Sequence, residues 1–235
     1  MYMFLPLNKH CDDGLGATGE AFEEAAKLIA EHSKAIKGNH LHLPINFLYR
    51  HAIELFLKSM ITVLHRSLRV PYGDKPYDGP AFVHANGNWK RLDRVHSVSA
   101  LWAYFRELTH SQKSNLESCR TDWQAMPDEL DTAIAQIEEA DGSSTFFRYP
   151  DMKRPIEDNT KSLWKEASPE SMISSAKSDE TAVKAFLVLN EDNEIEQSYL
   201  FDGARHTELT ETLARTAALL SSAHTGLRAE LAEGF

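Results

Sequence analysis

A chain of 235 residues with 42% apolar side chains is long and apolar enough for one sizeable folded domain and lies outside the disordered class. No run approaches the roughly 20 consecutive apolar residues that span a bilayer, which excludes a membrane-crossing helix. The net charge of −10 is unevenly spread: residues 1–120 hold 15 Lys and Arg against 12 Asp and Glu, residues 121–235 hold 10 against 23. Any polyanion site is therefore expected in the first part, with the second as a solvated acidic surface.

The start, Met1 to Leu7, is apolar but carries no basic leader and does not read as a signal peptide. Cys11 and Cys119 have neither metal nor redox spacing, so a reducing, cytoplasmic setting is expected. A first helix is predicted over about Gly16 to Lys37, with Ala21, Phe22, Ala25, Ala26, Leu28 and Ile29 on its apolar face. A second, over about Ile45 to Arg69, is the strongest element. Its apolar residues cover most of the circumference, which implies burial between neighbouring helices. Pro71 to about Lys90 is rich in turn residues and reads as a loop, of the kind that often serves as a binding element.

A third helix is predicted over about Ser97 to His110, with a helical continuation over Leu116 to Trp123. Pro127, followed by Asp128 and Glu129, opens another helix that runs to about Ala140. Residues 146–180 read as mostly irregular, with one short helix after Ser168-Pro169. Val183–Leu189 and Glu194–Phe201, joined by Asn190 to Asn193, suggest a β-hairpin. The last amphipathic helix covers about Thr207 to Ala232. The expectation is a single mainly α domain: a helical core over about 16–140, an irregular segment and hairpin over about 141–203, and a C-terminal helix packing back on the core.

At about 100° per residue, Arg50, Glu54, Lys58, His51 and His65 fall on one side of the second helix, within an arc of about 100°. Charge on a buried-type helix must be paired or must face water or a ligand. Arg50, Glu54 and Lys58 are spaced for a paired ladder. The stripe is thus either a structural ion-pair network or one wall of a site. Before the third helix, Arg91 and His96 could bind phosphate and move a proton, since imidazole titrates near neutrality. Alternatively, His96 packs beside Trp102 where the helix begins. Phe146-Phe147-Arg148-Tyr149-Pro150 sets an arginine between aromatics, a rigid anion clamp or stacking group, or a loop anchor with Arg148 pairing locally. His40 and His42 lack supporting carboxylates or cysteines at metal-ligand spacing, so no metal site is expected. The sequence also lacks a Gly-rich phosphate loop and a nucleophile elbow.

Three segments in order, Leu48-Tyr49-Arg50-His51-Ala52-Ile53-Glu54-Leu55-Phe56-Leu57-Lys58, His96-Ser97-Val98-Ser99-Ala100-Leu101-Trp102 and Phe147-Arg148-Tyr149-Pro150, resemble HEPN-type proteins of prokaryotes. The resemblance covers about residues 20–150. It implies a helical bundle, usually a homodimer, and many members are metal-independent ribonucleases of toxin or antiviral phage-defence systems, often with an operon-encoded partner. Others are catalytically silent and bind nucleotides or serve as dimerisation modules. The catalytic pattern of such proteins is an arginine, a short spacer and a histidine. Arg91 and His96 meet it with four residues between them, although Leu92 follows the arginine where members carry a polar residue. By that resemblance His96 or His51 is the base and Arg50, Arg91 or Arg148 the clamp, with Glu54, Lys58 and Tyr149 contributing to binding. RNA or a nucleotide is the implied ligand, and no cofactor or metal is implied.

Overall fold

The structure, a computed structural model, describes residues 5–33, 40–142, 144–149, 161–178, 184–202 and 204–233. Among them the chain forms α1 (Leu15–His32), α2 (His42–Ser67), β1 (Phe82–Ala85), β2 (Asn88–Arg91), α3 (Val98–Ser111), α4 (Lys113–Leu116), α5 (Asp128–Asp141), β3 (Trp164–Glu166), α6 (Pro169–Ser178), β4 (Ala185–Leu189), β5 (Ile195–Phe201) and α7 (Ala204–Leu231). No helix among the described residues is long and apolar enough to cross a membrane.

α2 is the axis of the bundle. It packs against α1, α3 and α7, and every residue from Ala52 to His65 is buried. That follows from apolar positions on all sides of the helix, which need neighbours around the whole circumference. Gly19 lets α1 lie close: a Cβ there would stand 3.0 Å from the Phe56 ring. α3 presents Val98, Leu101, Trp102, Phe105 and Leu108 to the same core, and α5 adds Leu130, Ile134 and Ile137. α7 closes the bundle with Leu213, Ala217, Leu220 and Leu227, all fully buried.

A buried carboxylate ties three helices together. Asp12 accepts the amides of Gly14 (3.0 Å) and Gly16 (2.7 Å) at the start of α1, and the Ser59 hydroxyl of α2 at 2.5 Å. His224 of α7 lies 3.7 Å away. Burial alone would push this carboxyl up, but His224, Ser59 and the Gly16 amide outweigh it and hold Asp12 well below the usual carboxylate range. Its amide partners are local, but Ser59 and His224 are remote in the chain and leave no mark in the sequence around Asp12.

Three segments differ from expectation. The stretch Pro71 to Lys90 is not a continuous loop: β1 and β2 form an antiparallel hairpin, with Phe82 opposite Arg91 and Ala85 opposite Asn88. Asn86 and Gly87, at φ of 53° and 75°, make the left-handed two-residue turn that matches strand twist. The helical continuation fails beyond α4, and Glu117 to Trp123 is mostly turn. Within 146–180, Trp164–Glu166 forms a strand that pairs with β5 in a three-stranded sheet of order β3-β5-β4. The expected hairpin is thus the larger part of a sheet. The end of the first predicted helix, residues 34–37, and Pro150 lie outside the described residues.

Candidate functional site

The polar stripe on α2 divides. Arg50, Glu54 and Lys58 stand on successive turns and pair as the ladder spacing requires: Arg50 Nη1 donates to Glu54 Oε2 at 2.8 Å, and Lys58 Nζ donates to Glu54 Oε1 at 2.8 Å. Their side chains are 0%, 1% and 6% exposed for Arg50, Glu54 and Lys58. Burial by itself would raise Glu54, but Lys58, Arg50 and the bond from His96 together hold its carboxyl below the ordinary range, so it is ionised.

Arg50 is the hub of this network. Its Nη2 donates to the His96 carbonyl at 2.6 Å, and its Nε donates to the Asp141 carbonyl at 3.3 Å and faces the Asp141 carboxylate at 3.4 Å. One guanidinium therefore joins α2, the segment leading into α3, and the C-terminal end of α5. A carboxylate at a helix C-terminus opposes the helix dipole and needs a nearby cation. Asp141, directly before Gly142, carries that signal in the sequence, and the reading of site residues missed it. Burial raises the Asp141 carboxyl, while the amides of Phe146 and Thr145 and the charge of Arg50 act against the rise. Its Oδ1 accepts both amides, at 3.0 Å from Phe146 and 2.8 Å from Thr145, and so fixes the turn that carries Arg148.

His96 sits at the rim. Its Nδ1 lies 3.0 Å from Glu54 Oε1, and its side chain is 46% exposed. An ionised carboxylate accepts but cannot donate, so Nδ1 carries the proton and Nε2 is left as the basic nitrogen. Ser97 caps α3 by accepting the amide of Ala100, which sets where His96 leaves the helix.

Arg148 is exposed, bonds to the Ser144 hydroxyl at 3.2 Å, and holds its guanidinium 5.0 Å from the centre of the Phe47 ring. It makes no ion pair among the described residues. His51 stacks on the other aromatic surfaces here, parallel to Phe47 at 5.7 Å and edge-on to Phe22 at 4.6 Å. Burial first, then Arg148, Lys58 and Arg50, lower His51 and keep it neutral, with Glu54 opposing them. Tyr149, 55% exposed, offers its carbonyl to Lys161 Nζ at 2.7 Å.

Two stripe or motif residues lie apart. Arg91 makes a two-pronged pair with Asp93, at 2.9 and 3.2 Å, and no bond joins it to His96. His65 lies in a separate buried aromatic pocket, where Val70 O is 2.7 Å from Nδ1 and Tyr104 Oη 2.8 Å from Nε2. Arg91 and His96 flank the 3-10 turn at Leu92–Arg94, and the arginine that bonds to the His96 backbone is Arg50.

Chemically, the site holds three cations, Arg50, Lys58 and Arg148, around two carboxylates, Glu54 and Asp141. Positive charge is in excess whether or not Asp141 is ionised. Among the described residues no group of three His, Cys, Asp or Glu is placed to hold a metal ion. Both cysteine thiols are pushed up by burial, Cys11 to about 11, which disfavours the thiolate a nucleophile requires. The chain matches no model of a known protein family, no characterised protein and no solved structure.

Proposed function

We propose that this chain is a HEPN-like protein that binds RNA at the cluster of Arg50, Glu54, Lys58, His96 and Arg148, and cleaves it without a metal ion. The observation that carries this reading is the dyad of Glu54 and His96. A buried, ionised carboxylate fixes the tautomer of a half-exposed imidazole and turns its basic nitrogen outward, the arrangement a general base needs. His96 Nε2 takes the proton of a ribose 2′-hydroxyl. The 2′ oxygen forms its bond to the adjacent phosphorus, and the bond from phosphorus to the 5′ oxygen breaks. The imidazolium returns the proton to the leaving oxygen. The products are a 2′,3′-cyclic phosphate and a 5′-hydroxyl.

The excess positive charge supports an anionic ligand, with Arg148 the exposed donor for the phosphate oxygens. Arg50 is a positioning residue in this reading, because it is enclosed and its donors go to Glu54, Asp141 and His96. Phe47 and His51 supply ring faces beside Arg148 on which a base could stack.

The test is incubation of purified chain with single-stranded RNA in excess chelator. Cleavage leaving cyclic phosphate ends is expected. His96→Gln should reduce the rate on the order of 10²- to 10⁴-fold, the usual contribution of general acid-base catalysis. Arg148→Ala should weaken RNA binding and make its loss with salt shallower, because one phosphate contact fewer releases fewer counterions. Intact RNA across varied sequences, with binding unchanged in both variants, would refute the reading. A second reading, a catalytically silent interaction module, is favoured by the complete mutual pairing of Arg50, Glu54 and Lys58. It expects no cleavage, and only a loss of stability when that network is broken.

A further inference from the structure

The β3-β5-β4 sheet leaves an unusual edge. In globular chains a free edge strand is normally short, charged or covered, because its unpaired backbone groups template further pairing. β4, Ala185-Phe186-Leu187-Val188-Leu189, is apolar at all five positions and lies at the end of the sheet. Phe186, Leu187 and Leu189 are 55%, 45% and 49% exposed, and Ile195 of β5 is 47% exposed. Among the described residues no strand pairs with its outer side.

Its backbone register is legible from β5. Phe201 N donates to Lys184 O at 2.9 Å, so Lys184, Phe186 and Val188 direct their backbone groups inward to β5. Ala185 and Leu187 therefore direct theirs outward. One sheet face also carries an apolar cluster: Trp164, Phe186 and Tyr199, with Val188 and Gln197, line an open cavity of about 480 Å³.

We infer that β4 pairs antiparallel with β4 of a second copy of this chain, joining two three-stranded sheets into one of six strands. A two-fold axis at Leu187 uses the whole strand. It sets Leu187 against its own copy, Ala185 against Leu189, and Phe186 against Val188. The charge pattern fits this occupant. Lys184 precedes the strand, and Asn190, Glu191 and Asp192 follow it, so antiparallel self-pairing brings the basic end of each strand to the acidic end of the other. Phe186 and Val188 of one copy then extend the aromatic cluster of the other across the axis. A parallel arrangement would stack like charges at each end and leave the cluster open.

The affinity should be modest. One edge of five residues buries less than the roughly 1,600 Å² of a standard stable interface. A concentration-dependent equilibrium between monomer and dimer is expected.

Sedimentation equilibrium of the full chain, from micromolar to millimolar concentration, tests the idea. Dimer is expected at the upper end, with the Leu187 amide gaining protection from exchange as dimer forms. Leu187→Lys sets two lysines together on the axis and should give a monomer with an unchanged circular dichroism spectrum and melting curve. Lys184→Glu and Glu191→Lys should each weaken the dimer, and together should restore it. That rescue separates self-pairing from mere damage to the sheet. A monomer at every concentration, a dimer that survives Leu187→Lys, or a monomeric chain that takes up an added β-strand peptide at this edge would overturn the inference. None of these outcomes bears on RNA cleavage, which rests on other residues.

Discussion

Glu54 receives Arg50, Lys58 and His96 on two oxygens, so its charge serves a stability role and an orienting role at once. Glu54→Gln separates them by keeping the shape and removing the charge. Arg50 and Lys58 would then be buried cations short of a counter-charge, a situation that typically costs about 3–5 kcal/mol. Denaturant unfolding should show that loss as a lower midpoint with little change in slope. Replacing all three residues together, as Arg50→Met, Glu54→Leu and Lys58→Met, should recover part of it, because α2 then carries no unpaired charge, while Asp141 loses Arg50 but keeps the amides of Thr145 and Phe146. A triple variant as unstable as Glu54→Gln would count against the ion-pair account. His96→Gln should behave oppositely: its side chain stands at the rim, so stability should change by less than about 1 kcal/mol, as usual for surface positions. Loss of cleavage without loss of fold would place the chemistry at His96 and the scaffold at Arg50.

The β1-β2 hairpin turns on Asn86 and Gly87, and a Cβ added at Gly87 would meet nothing within 4 Å. Gly87→Val is therefore a test of backbone conformation alone. A φ of 75° is strained for a β-branched residue, and the expected cost is on the order of 1–3 kcal/mol. Thermal unfolding measures it, and an unchanged melting temperature would refute the turn assignment. This element also shows what the sequence could yield. Asn-Gly between alternating apolar residues was readable as a hairpin turn, but the crowd of proline and glycine before it at 71–80 read as one long loop. Long helices with strong apolar periodicity, such as α2 and α7, could be read because their signal is local. β3 could not: three residues have no period of their own, and they are a strand only because β5 lies beside them. The site divides in the same way. Arg50, Glu54 and Lys58 pair within one helix, so spacing alone foretold the ladder. The partnership of His96 with Glu54 spans 42 residues and depends on how α3 docks, which no spacing rule contains.

At the scale of the whole molecule, stability should depend on pH through histidines that the fold keeps neutral. His65 is fully buried, stacked 3.9 Å from the Tyr72 ring, and burial lowers it to about 4 against an ordinary value of 6.5. His42, against His206 and the Lys161 carbonyl, is lowered to about 4 by burial and then by His206. For a histidine lowered by folding, the unfolded chain binds the proton first, so stability is fully present above pH 6.5 and falls as pH drops toward 4. The shift at His65 corresponds to a loss on the order of 3 kcal/mol across that window. Domains of this kind hold only about 5–15 kcal/mol in total, so the loss would be a large share. The lowered carboxylates, Asp12 and Glu54, act in the same direction but below their ordinary values, at the acid end of the window and beyond. Denaturant unfolding at successive pH values from 7.5 to 4 should therefore show stability already falling near pH 6, before Asp12 or Glu54 is protonated. His65→Gln should be less stable at neutral pH, having lost its fit between Val70 and Tyr104, yet should show a flatter dependence between pH 6.5 and 4. If its slope matches that of the unsubstituted chain, the proton uptake lies elsewhere and the buried His65 is not its source.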